Sequence, residues 1–141
     1  MSTPQPPTPD GNETPRTLLR LLGAFAAPVI VYLLAWEGVA RGVLPGVDES
    51  ARGLMIHLFS VLIPCLGVLA SIAIAGVKAG RMLGGGVMAV FFLTMYTASG
   101  VAFGWLPVGL TLLGIALAWG LGRLCPTMSP DLSTAFHRAR H

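Results

Sequence analysis

Charge is scarce in this sequence. Asp, Glu, Lys and Arg make up 11% of its 141 residues, against about 25% in a typical soluble domain. So few charges cannot cover a water-facing surface, and the composition excludes an ordinary soluble domain. The scarcity is also concentrated. Residues 82–122, between Arg81 and Arg123, contain no Asp, Glu, Lys, Arg or His. That run is about twice the roughly 20 apolar residues one helix needs to cross a bilayer. Acid–base and metal chemistry therefore have no place in it.

Other absences narrow the function. Two cysteines, Cys65 and Cys125, are too few for a disulfide framework. They fall at different places relative to the apolar runs, so they are not expected to pair. Cys65 reads as a small buried apolar residue, and Cys125 stands at a run's edge, where an acyl chain is the alternative. No P-loop, HExxH, CxxC, GxSxG or dinucleotide fingerprint occurs, and no Ser/His/acid set is visible. No enzyme activity and no cofactor are expected. His137 and His141 are spaced for one helical face, but their segment offers no further ligand. A structural metal site wants about four, so no metal site is expected. The net charge of +3 comes without a basic stripe interleaved with aromatics, which argues against nucleic acid.

What the chain does have is apolar length, with 54% hydrophobic residues. The segment 100–107, Gly-Val-Ala-Phe-Gly-Trp-Leu-Pro, breaks the uncharged run into two helices joined by a short turn. Two further apolar runs precede it. The sequence thus predicts an all-α fold, an integral membrane four-helix bundle of up-down-up-down topology. Its spans fall at about 18–40, 52–78, 83–100 and 106–124, within a transmembrane domain 16–125. Residues 1–15, rich in Pro, Thr and polar side chains, read as a disordered tail. Residues 126–141 read as a polar C-terminal tail. A cleaved signal peptide is the alternative for the first span. Arg16 and Arg20 precede it and Gly38-Val39-Ala40 follows, but the leader is long and Trp36 and Glu37 crowd the cut.

Basic residues set the expected orientation. Four spans place Arg16, Arg20, Lys78, Arg81, Arg123, Arg138 and Arg140 on one side. The other side holds only Arg41 and Arg52, in a loop that also carries Glu37, Asp48 and Glu49. Lys and Arg mark the cytoplasmic side, so both termini are expected there. Trp36, Tyr96 and Trp105 fall at the opposite boundary, as interfacial aromatics do. Arg outnumbers Lys eight to one, a bias that leans toward a bacterial cell membrane. The spans show no internal repeat.

Three features are candidates for function. Small residues recur every fourth position at Gly67, Ser71 and Ala75, and again at Gly114, Ala118 and Gly122. That spacing shares one helical face and lets backbones approach. It reads as packing inside the bundle or as contact with a second copy or a larger membrane partner. Pro28 and Pro64 stand at the centres of the first two spans and free the carbonyls of Ala24 and Ser60. They read as static kinks or as a hinge, and the freed groups need new partners. Glu37 and His57 lie near the ends of adjacent spans, where a carboxylate beside an imidazole would make an ion or proton site. Asp48 is placed to cap the second helix. The leading expectation is an accessory or assembly subunit, held in the lipid bilayer and acting through helix–helix contacts. The alternative is a small oligomeric transporter or channel with its path along the proline-containing first two spans.

Overall fold

The computed structural model describes residues 13–124. Among them are four α-helices, and no strand occurs among the described residues. They are α1 (Glu13–Gly38), α2 (Glu49–Ala75), α3 (Val77–Ala98) and α4 (Trp105–Leu121). α1, α2 and α3 are long and apolar enough to cross a bilayer; α4, with 17 residues, is shorter. At about 1.5 Å per residue it spans roughly 25 Å. The fold is all-α, with three long apolar helices suited to a membrane.

Contacts fix the directions of the helices. Arg20 reaches Ile74, Ser71 bonds Ala24, and Gly67 lies on Pro28, so α1 and α2 are antiparallel. Gly80 lies on Ile72, Gly84 on Ser71 and Gly67 against Met88, so α2 and α3 are antiparallel. Gly114 meets Val61 and Pro64 while Gly122 meets Ile72, so α4 runs parallel to α2. The helices do not form a square. α2 is the axis and packs on all three others, while α3 and α4 touch far less. Residues 82–122 are therefore not a self-contained hairpin: α2 fills the space between its two arms. The core follows from this, with Ile63, Val68, Ile72 and Met88 fully enclosed.

Both connections on α2 are tighter than the charge pattern suggests. The chain reverses between α2 and α3 at one residue, Gly76, with φ 91° and ψ 169°. That conformation is open essentially to glycine alone. The reversal comes before Lys78 and Arg81, which therefore sit in the first turns of α3 and not in a loop. Their long side chains can carry the charge past a helix end. Between α1 and α2, a π-helical stretch Val39–Val43 and a 3₁₀ turn Leu44–Gly46 leave only Val47 and Asp48 outside helical structure. Asp48 stands at the start of α2, but its carboxylate makes no capping bond. Its backbone carbonyl accepts from the N–H groups of Ala51 and Arg52 at 3.0 Å.

Most large side chains outside the core are apolar and exposed, including Leu33 and Leu34 on α1, Leu62 and Leu66 on α2, and Leu113 and Leu117 on α4. A perimeter of this kind is a liability in water and the norm against lipid tails.

Candidate functional site

Glu37 and His57 are brought to one level but not joined. The contacts of Ala24 with Ser71 and of Pro28 with Gly67 continue to a register in which Glu37 faces the level of Leu58. Both side chains are exposed. The Glu37 carboxylate pairs with Arg41, four residues on, at 2.5 Å, with the two side chains 55% and 82% exposed. Among the described residues the His57 side chain makes no hydrogen bond or ion pair. The helix explains the choice of partner: it continues through Gly38 into the π-helical stretch, so Arg41 lies one turn beyond Glu37. A pair this exposed contributes only about 0.3–0.5 kcal/mol.

Pro28 and Pro64 are fully buried, at the closest helix crossings. A Cβ on Gly67 would stand 3.2 Å from the Cα and O of Pro28 and 2.5 Å from Met88 Cε. A Cβ on Gly114 would overlap the Val61 carbonyl oxygen and stand 3.3 Å from Pro64 Cβ. The carbonyl that Pro28 leaves unbonded finds its partner on the neighbouring helix. Ser71 Oγ donates to Ala24 O at 2.8 Å, deep in the α1–α2 interface. The Ser60 hydroxyl does not serve its own freed carbonyl; it donates to Ile56 O at 2.7 Å.

The other small residues lie in the same interfaces. Ala75 packs with Ala24, and both are fully enclosed. Ala118 is enclosed beside Ile72 and Ile115, and a Cβ on Gly122 would stand 2.6 Å from Ile72 Cδ1. The Gly84-Gly85-Gly86 triplet faces three ways. Gly84 meets Ser71 of α2, Gly85 meets Trp119 and Ile115 of α4, and Gly86 opens on free space. That space is an apolar groove of about 440 Å³ between α1 and α3, lined by Phe25, Val29, Val87, Val90 and Phe91.

Two arginines carry roles that the sequence alone does not disclose. Arg20 of α1 donates from Nε and Nη2 to Ile74 O at 3.2 and 3.0 Å. Arg81 of α3 donates from Nη2 to Trp119 O. Each accepting carbonyl belongs to the last turn of a helix, of α2 or α4, where no intrahelical donor remains. A cation there also suits the negative end of the helix dipole. Recognising these caps needs the register between helices, which composition and charge do not supply. At the opposite end, Tyr96 Oη donates to Ala102 O at 2.8 Å and accepts from Gly104 N at 2.5 Å.

Among the described residues, no group of three or more His, Cys, Asp or Glu could hold a metal ion. Cys65 is buried and unpaired in a disulfide. Cys125, His137 and His141 lie outside the described residues. Charged side chains gather at the two ends of the helices, and the middle holds the Ser71–Ala24 bond within close apolar packing. No family model, no curated protein and no solved structure matches this chain.

Proposed function

We propose that the chain is a non-enzymatic, multi-pass integral membrane protein of the bacterial cell membrane, an accessory or assembly subunit that acts through helix–helix contacts. In this reading its four helices cross the bilayer up-down-up-down with both termini cytoplasmic. Arg16, Arg20, Lys78, Arg81 and Arg123 then share the cytoplasmic end, and Arg41 and Arg52 lie opposite with Glu37, Asp48 and Glu49. The distribution follows the positive-inside bias.

One observation carries the choice of an accessory role. The small residues are divided between two uses. Gly67, Ser71, Ala75, Gly114, Ala118 and Gly122 are consumed by contacts within the chain. On the far side of α4, Gly109 and Gly120 meet nothing within 4 Å and Ala116 is exposed. Seven- and four-residue spacings put these three on one face, which another helix can approach closely. The partner is a second copy or a larger membrane protein.

Extraction in mild detergent from native membranes, with crosslinking beforehand, tests this. An assembly that Gly120→Leu disrupts, with the monomer still folded, is expected. A monomer with no co-purifying partner would overturn the reading.

A further inference from the structure

The two connections at the Asp48 end differ in height. Gly67 lies against Met88, so Ala98, the last residue of α3, comes level with about His57 of α2. α2 continues from there to Glu49, two turns or roughly 12 Å farther at 1.5 Å per residue. Arg41, Asp48, Glu49 and Arg52 all belong to that projection. The α3–α4 turn, residues 99–104, sits below it. The interfacial layer of a bilayer is about 5–8 Å deep on each side of a roughly 30 Å hydrocarbon core. With the charged tip projecting about 6 Å beyond that layer into water, a turn a dozen ångströms below it lies about 6 Å deep, inside the layer and above the hydrocarbon.

The chemistry of the turn fits such a place. Neither the turn nor the 17 residues on either side of it carry a charge. Val101, Phe103 and Trp105 are 65%, 60% and 79% exposed. The hydroxyl groups at its start and on the last turns of α3 are satisfied by backbone carbonyls of the same segment: Thr94 donates to Val90 O, Thr97 to Leu93 O and Ser99 to Tyr96 O. Tyr96 holds the loop at Ala102 and Gly104. A run of ring contacts from Phe92 through Tyr96 and Phe103 to Trp105 fixes how the aromatics are presented. The apolar flanks of α3 and α4 lead directly into this surface, with Leu93 and Leu106 exposed on either side. Aromatic side chains with one apolar and one polar end are suited to the headgroup boundary.

We propose that the α3–α4 turn is a lipid-embedded cap: Val101, Phe103 and Trp105 insert at the headgroup–acyl boundary, while the α1–α2 connection stands in water. The proposal rests on the membrane reading above. Its backbone stays at headgroup level, because an irregular loop is not stable in the hydrocarbon itself.

The test is fluorescence of the full chain with Trp36→Phe and Trp119→Phe, so that Trp105 is the sole tryptophan, in phosphatidylcholine vesicles. Lipids brominated on the acyl chain near the glycerol are expected to quench Trp105 strongly, and aqueous iodide only weakly. Strong iodide quenching without bromolipid quenching would overturn the proposal. A second measurement leaves all the aromatic side chains in place. In a Cys65→Ala, Cys125→Ser background, Val101→Cys is expected to react with a charged maleimide severalfold more slowly than Ser50→Cys. Equal rates would overturn it. Loss of the protein from vesicles on alkaline washing would overturn the membrane reading itself, and with it this proposal. Retention with a water-exposed Trp105 would overturn this proposal alone.

Discussion

Replacing Ser71 with Ala tests whether the Ser71 hydroxyl is the substitute partner for the carbonyl that Pro28 leaves free. Ser71 and Ala24 are fully enclosed, and the bond between them is 2.8 Å long. The substitution keeps Cβ, so the contact of Ser71 Cβ with Gly84 survives and only the hydrogen bond is lost. Hydrogen bonds between membrane helices average about 0.6 kcal/mol and reach about 1.7. An unsatisfied buried carbonyl costs about 1–3 kcal/mol. A loss of about 1–2 kcal/mol is therefore expected. The decisive comparison uses Pro28→Ala. Alanine restores an N–H at position 28, and Ala24 O regains its partner within α1. The Pro28 atoms that touch Gly67 are backbone Cα and O, so alanine preserves that contact too. In the Pro28→Ala background, Ser71→Ala should cost less than about 0.5 kcal/mol, leaving a coupling near 1 kcal/mol. Reversible unfolding in mixtures of mild detergent and dodecyl sulfate, followed by circular dichroism, measures all four corners of the cycle. Equal costs of Ser71→Ala in the two backgrounds would refute the reasoning.

Three further outcomes follow from the same contacts. Gly114→Val should destabilise by about 1–3 kcal/mol, because its Cβ meets the Val61 carbonyl oxygen, while Gly109→Val, in open space, should change stability by less than about 0.5 kcal/mol in the same unfolding assay. Gly76→Ala should cost about 1–3 kcal/mol by forcing a side chain onto φ 91°, ψ 169° at the one-residue reversal, seen as a lower unfolding midpoint. Glu37→Gln and His57→Gln should each leave stability within about 0.5 kcal/mol and leave growth under pH and solute stress unchanged, whereas a defect in either variant would favour the transport alternative.

The location of the apolar helices is legible in the sequence because a membrane imposes length and charge rules on each segment separately. The break at 100–107 is visible for the same reason: Gly100, Gly104 and Pro107 act locally. Packing is a different matter. The periodicity of Gly67, Ser71 and Ala75 marks a face but names no neighbour. The structure gives Gly67 to Pro28 and Met88, and Ser71 to Ala24 and Gly84. Nothing local in the sequence makes α2 the axis of the fold. The end of α1 is misleading in another way. Gly42 and Pro45 fall between the first two predicted spans, yet the chain stays helical there as π and 3₁₀ turns. That persistence carries Arg41 to Glu37 and removes the carboxylate from His57. The site that sequence suggested from equal depth is thus divided by a contact made along one helix.

Arg20 joins two requirements that are otherwise separate. As a basic residue near a span's end it contributes to the orientation signal. As a fork of two donors on Ile74 O it closes the last turn of α2, whose next backbone donor is lost when the chain reverses at Gly76. Lysine keeps the first function and not the second, since its ammonium is a point charge without the planar fork. Arg20→Lys should therefore leave the orientation of a C-terminal reporter fusion unchanged and cost about 1 kcal/mol of stability. Arg20→Gln should cost about 1.5–3 kcal/mol, because a bond to a charged donor is lost together with the favourable charge at the helix end. The ordering separates the roles. If charge alone mattered, lysine would match arginine in both assays, and the cap on Ile74 would have no energetic meaning. If the cap alone mattered, lysine and glutamine would fall together. An intermediate lysine, with orientation intact, is the result that ties the basic end of the bundle to its packing as well as to its direction.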